Sequence, residues 1–231
     1  MPRHTDREYA AHLQQIREML LEMAGRVEKM IADSVRALVE QDVDLAKRTI
    51  ACDKLVNQSE LDTDELCTVV LAKWQPMGRD LRLVTFALKT VTDLERMGDL
   101  AVNICERAID LSSYPQLAPG EDIPKMSAIA QAMVRDAIDA FIHRDSDSAR
   151  RIIGQDDELD ILYTKVFRDV LDAMAGDKTR VTRGIHVQSV AKWLERLGDH
   201  ATNIAEQVIY MVEGTDIRHT SQAEEPKAAV G

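Results

Sequence analysis

TDLERMGDLAVNICE, from Thr92 to Glu106, and KWLERLGDHATNIAE, from Lys192 to Glu206, are two versions of one segment. Glu95, Arg96, Gly98, Asp99, Ala101, Asn103, Ile104 and Glu106 recur one hundred residues later as Glu195, Arg196, Gly198, Asp199, Ala201, Asn203, Ile204 and Glu206. Around the first copy, Leu83, Ala87, Thr90, Leu94, Met97, Ala101, Ile104, Ala108 and Leu111 return in alternating steps of three and four. That spacing lays one apolar seam along a helix and predicts a helix from about 79 to 111. A repeat this specific means that the chain is built from two copies of one helical unit.

Working outward, DLAKRTIACD from Asp44 to Asp53 matches DSARRIIGQD from Asp147 to Asp156 at an offset of 103 residues, so a length change falls just before the duplicated segment. Further upstream, Leu13, Ile16, Leu20, Met23, Val27, Met30 and Ala37/Leu38 form a second long seam. Prolines break helix interiors and serve as punctuation. They stand at 2, 76, 115, 119, 124 and 226, leaving helices over about 7–41, 45–74 and 79–111, then 125–143, 145–175 and 179–212. Gly176 and Gly214 sit where C-caps are expected. The expected fold is all-α: two tandem three-helix-bundle repeats, 7–111 and 125–213, packed side by side as an elongated six-helix protein. The stretch SSYPQLAPGEDIP, 112–124, reads as the linker, and the aperiodic segment 214–231 reads as a disordered tail.

Composition agrees and removes several functions. Aromatics are 4% of the 231 residues, which starves a sheet of its usual partners. A net charge of −11 opposes binding to a phosphate backbone, so no nucleic-acid partner is expected. Cys52, Cys67 and Cys105 have no metal or disulfide spacing and read as reduced core or flank residues. The N-terminus carries no apolar run and no window approaches a membrane span, so a cytoplasmic protein without direct membrane insertion is expected. No phosphate loop, nucleophile elbow or dinucleotide turn occurs, and no Glu has a His three residues later, so no catalytic residue is assigned.

The chemistry the sequence does offer is acidic. Glu95, Asp99 and Asn103 stand at successive i,i+4 steps away from the seam, and Glu195, Asp199 and Asn203 repeat them. Like charges at that spacing cost about 0.3 kcal/mol in an isolated helix, so a positive group is expected between them. An arginine from another helix is one candidate. A hard or borderline cation such as iron, manganese, zinc, magnesium or calcium is the other. Asp156 and Asp160 supply a further pair on the preceding helix, while the first repeat has Asp53 with Asn57, one charge fewer. The second repeat is therefore expected to bind metal more tightly. The bland reading is a solvated acidic face, common in a chain with 40 acidic residues. Gly98 and Gly198 each cost about 1 kcal/mol relative to alanine in mid-helix, which calls for close packing or ligand access. Asn103 and Asn203 fit either a metal shell or interhelical hydrogen bonding. His200 beside Asp199 reads as a ligand, a phospho-acceptor or, more plainly, a solvated polar-face residue.

The twin segments, with MGRDLR at Met77–Arg82, resemble the PhoU family over both repeats. The resemblance implies two three-helix repeats whose E/D-x-x-x-D motifs hold metal clusters. Carried over by position, these are Glu95 and Asp99, Glu195 and Asp199, with Asp156 and Asp160 facing them and Asp53 in the weaker first cluster. It further implies a non-enzymatic negative regulator of the phosphate-starvation response, a homodimer that bridges the transporter's ATPase subunit and a membrane sensor histidine kinase. The alternative is a metal-binding adaptor or storage bundle with no part in phosphate signalling.

Overall fold

The computed structural model describes residues 4–114 and 122–217, and all of its regular structure there is helical. Helices α1 (His4–Glu40), α2 (Val43–Trp74) and α3 (Arg79–Leu111) form the first repeat. Helices α4 (Asp122–His143), α5 (Ser146–Gly176) and α6 (Val181–Glu213), with a 3-10 turn at Lys178–Arg180 before α6, form the second. At 33 residues, α3 spans about 50 Å.

Equivalent turns join the helices. Gln41 and Arg144 adopt left-handed backbone with φ of 55° and 53°. The next residue in each case, Asp42 or Asp145, caps the following helix, accepting from the Leu45 amide at 2.8 Å and from the Asp147 and Ser148 amides at 3.1 and 3.0 Å. The Asp42 and Asp145 amides in turn close back on the Ala37 and Ala140 carbonyls at 3.0 and 2.9 Å. Gly214 ends α6 in the left-handed conformation expected of it. Gly176 does not. It is the last residue of α5, and extended Asp177 follows, its carboxylate capping the 3-10 turn through the Thr179 amide. The linker is also shorter than its prolines suggest, because α4 begins at Asp122 and Pro124 lies in its first turn, where the missing N–H costs nothing. Most of 112–124 and of the 214–231 tail lies outside the described residues.

Each repeat is a bundle in which every helix touches the other two, and α3 against α6 with α1 against α4 join the bundles. The α1 seam is buried from Leu13 to Ala37, and the α3 seam from Leu83 to Ala108; Leu38 and Leu111 at the far ends are half-buried. The main core runs without interruption through both repeats. Phe86 of α3 stacks on Phe141 of α4 with ring centroids 4.6 Å apart.

Candidate functional site

Two acidic faces emerge, one on each repeat, and the duplicated glycines explain where they lie. A Cβ on Gly98 would stand 3.3 Å from Val56 Cγ1 and 3.6 Å from Asp53 Oδ1. A Cβ on Gly198 would stand 2.5 Å from Leu159 Cδ2 and 2.9 Å from Asp156 Oδ1. The glycines therefore permit close packing, and the group packed beside each one includes an aspartate of the neighbouring helix. Around the glycines the two faces correspond, with Asp53, Val56 and Met30 replaced by Asp156, Leu159 and Met133.

On the second face, burial first and then the charges of Asp199, Asp160 and Glu195 push the Asp156 carboxyl up to about 6. The four acids predicted from sequence thus share one electrostatic neighbourhood. On the first face, burial and then Asp99 raise Asp53, which accepts a 2.9 Å bond from the Asn57 amide. Glu95 is likewise raised by burial, then by Asp99, Glu60 and Asp53. Glu60 and Asp64 of α2 are acids that sequence reasoning missed. Burial raises both, and Asp64 and Asp99 add to the effect on Glu60. They follow Asp53 at helical steps, a signal present in the sequence, but their partners in the repeat are Tyr163 and Phe167 and the repeat comparison hides them. With Glu60 counted, Asn57 no longer leaves the first face one charge short.

Neither face is closed by an arginine of another helix among the described residues. Lys192, one turn before Glu195 on α6, bonds both Glu195 oxygens at 2.7 Å and lies over the Tyr163 ring at 5.2 Å. Thr92 stands at that position in the first repeat and donates to Glu60 at 3.3 Å. Asp53 Oδ1 and Asp156 Oδ1 are enclosed and accept no hydrogen bond, an arrangement that costs free energy unless a cation or proton meets it. As they stand, no three His, Cys, Asp or Glu side chains among the described residues form a ready-made metal cage. The donor set is hard oxygen, with an orphaned inner carboxylate on each face, and it fits a divalent cation in kind.

His200 is not on the acidic face. It is buried between the repeats with Nδ1 2.9 Å from Asp93 Oδ1, and Gln207 and Asn203 donate to the same carboxylate at 3.2 and 3.5 Å. This corrects the solvated reading of His200 and gives Asn203 an interhelical partner. Cys67 and Cys105 are buried, with thiols pushed up to about 12 by burial; Cys52 is exposed.

Comparison with known proteins follows the same division. The model of the PhoU domain matches the chain twice, over residues 20–108 and 123–208. The chain is 40% identical to the phosphate-specific transport system accessory protein PhoU homolog of Pseudomonas putida, covering 94% of this chain and 85% of that protein. It is 35% identical to phosphate-specific transport system accessory protein PhoU of Escherichia coli K12, covering 99% and 95%. The crystal structure of PhoU from Pseudomonas aeruginosa superposes with a TM-score of 0.85 at 38% identity, over 90% of this chain and 100% of that one.

Proposed function

The chain belongs to the PhoU family, and from that premise we propose that it is a regulatory accessory protein of phosphate transport that represses the phosphate-starvation response. The observation that carries this is the match of both repeats, at nearly full length, to proteins named for that accessory role. Those relatives are named for an accessory role and not for a reaction. Its partners in this reading are the ATPase subunit of the phosphate transporter and a membrane sensor histidine kinase, and its setting is the cytoplasmic side of the membrane. No described helix is long and apolar enough to cross a membrane, so contact with membrane complexes would run through these protein partners.

Metal ions belong to the same proposal. Asp156, Asp160, Glu195 and Asp199 would hold one on the second face; Asp53, Glu95 and Asp99, joined by Glu60, would hold one on the first. Bound there, a cation supplies fixed positive charge that draws two helices of a repeat together. The carboxylates themselves orient it and define the surface a partner meets.

Alkaline phosphatase activity in phosphate-rich medium, measured in a bacterial host lacking its own homologue, tests the regulatory reading. High activity without the gene and repression with it are expected; no difference would sink it. The orphaned inner carboxylates keep a second reading, a metal-binding adaptor or storage bundle without signalling. Elemental analysis after purification without chelator separates that reading from a plain adaptor, metal being retained by the parent and lost in Glu195→Ala with Asp199→Ala.

A further inference from the structure

Three arginines of this acidic chain converge where the two repeats meet. Arg17 of α1, Arg79 at the start of α3 and Arg144 in the α4–α5 turn line one cavity of about 330 Å³, with Gln14 at its edge. Leu21 and Ile142, both partly open to solvent, give it an apolar side. A volume of this order is that of a small-molecule site.

The local charge is not used up by the fold. Helix C-termini attract cations, and the end of α6 lies here, but that task falls to Arg82, whose Nε donates to the Met211 carbonyl at 3.0 Å. Among the described residues, the guanidiniums of Arg17, Arg79 and Arg144 make no ion pair and no hydrogen bond. Asp80 is the acid that faces them from α3. It accepts a 2.8 Å bond from the Tyr9 hydroxyl and acts on Arg17 only at longer range. Burial first, and then the Arg144 charge, lower the pKa of Arg17, which shows a half-enclosed cation with a like charge beside it. Enclosing Arg17 beside the Arg144 charge costs free energy that an oxyanion would repay.

We propose that this cavity binds a phosphate group. The charge count selects phosphate over carboxylate, because a group carrying about −1.5 to −2 at neutral pH matches several guanidiniums where a carboxylate needs one. Guanidinium forks pair with its oxygens two at a time. The shared chemistry admits free inorganic phosphate or a phosphomonoester whose organic body lies against Leu21 and Ile142. The inference rests on the guanidinium cavity alone, so it stands or falls apart from the regulatory reading.

Calorimetric titration of the full chain with inorganic phosphate and with phenyl phosphate tests it, with chelator present so that metal-bridged binding makes no contribution. Arg79→Gln and Arg144→Asn are the variants of choice: both side chains are exposed and unpaired, and asparagine tolerates the left-handed backbone at 144. Arg96→Gln, about 25 Å along α3, serves as the control. Saturable binding is expected, weakened about tenfold by each cavity variant and unchanged by the control. Binding of inorganic phosphate identifies the free ion as sufficient, and binding of phenyl phosphate alone assigns the site to monoesters. No saturation by either compound up to about 10 mM would overturn the proposal. Equal losses in Arg79→Gln and Arg96→Gln would do so as well.

Discussion

An alanine at Gly198 would press its Cβ to 2.5 Å from Leu159 Cδ2, and Leu159 is fully buried and has little room to yield. At Gly98 the nearest atom, Val56 Cγ1, would be 3.3 Å away and needs to give only a few tenths of an ångström. Alanine gains about 1 kcal/mol of helix propensity at either site. Gly198→Ala is therefore expected to destabilise by about 1–3 kcal/mol through overpacking, and Gly98→Ala to stay within about 1 kcal/mol of the parent. Urea melts of the two variants check this, and equal effects would show that the second repeat is not the tighter one. Asp156, beside Gly198, adds a pH dependence. Its carboxyl, lifted from 3.8 to about 6, keeps a proton in the folded state over a range where the unfolded chain has lost it. The folded state thus loses stability as pH rises between those values, and above about 6 the full cost is present. Asp156→Asn should stabilise the metal-free protein at pH 8 by about 1–2 kcal/mol, after allowance for solvent screening, and by almost nothing near pH 4. Adding a divalent cation at pH 8 should raise the melting temperature of the parent more than that of the variant.

At the scale of helices, one carboxylate of α3 gathers three groups of α6. Asp93 is gripped by His200, Asn203 and Gln207, and its side chain is only 13% exposed. Asp93→Ala removes the shared acceptor and leaves three polar groups of α6 facing an apolar methyl, a loss of about 2–4 kcal/mol. Hydrogen exchange should quicken along the α3–α6 contact in that variant while the far ends of α2 and α5 keep their rates; uniform acceleration would mean that the contact is not a separate fastening. The same pair shows how far the sequence can be read. Helix seams, glycine pair and acidic faces were legible because both copies need them, and repetition exposes what both copies need. Asp93 was not, since its counterpart is Trp193, and the groups that bind it at 200 and 207 replace Leu100 and Arg107. Those contacts stand at positions where the copies differ, and comparing the copies filters such positions out. Glu60 was hidden in the same way behind Tyr163. The end of α5 was read to within one residue but its cap was not, because the extended backbone and side-chain cap of Asp177 stop the helix without help from a left-handed Gly176.

For the whole molecule, the question is whether two copies make two folding units. Each repeat has about the size of an independent domain, and sequence duplication alone suggests two transitions. The contacts argue otherwise, since one core passes through both bundles and Phe86 and Phe141 stack across the join. Arg82 holds the end of α6 from the other repeat, and Arg135 reaches Glu28 at 3.2 Å. Separating the bundles would uncover the α3–α6 and α1–α4 faces at once, so unfolding of one should pull down the other. The chain carries its own reporters, with Trp74 in the first repeat and Trp193 in the second. Urea transitions followed by fluorescence in Trp193→Phe and in Trp74→Phe should each read one repeat, and their midpoints should agree once each variant's own stability is matched by circular dichroism. Phe141→Ala, which empties a nearly buried site at the join, is expected to cost about 3–5 kcal/mol and to move both reporters together. If only the Trp193 signal moved, the repeats would be separate folding units in contact, and the shared core would be an interface between finished domains.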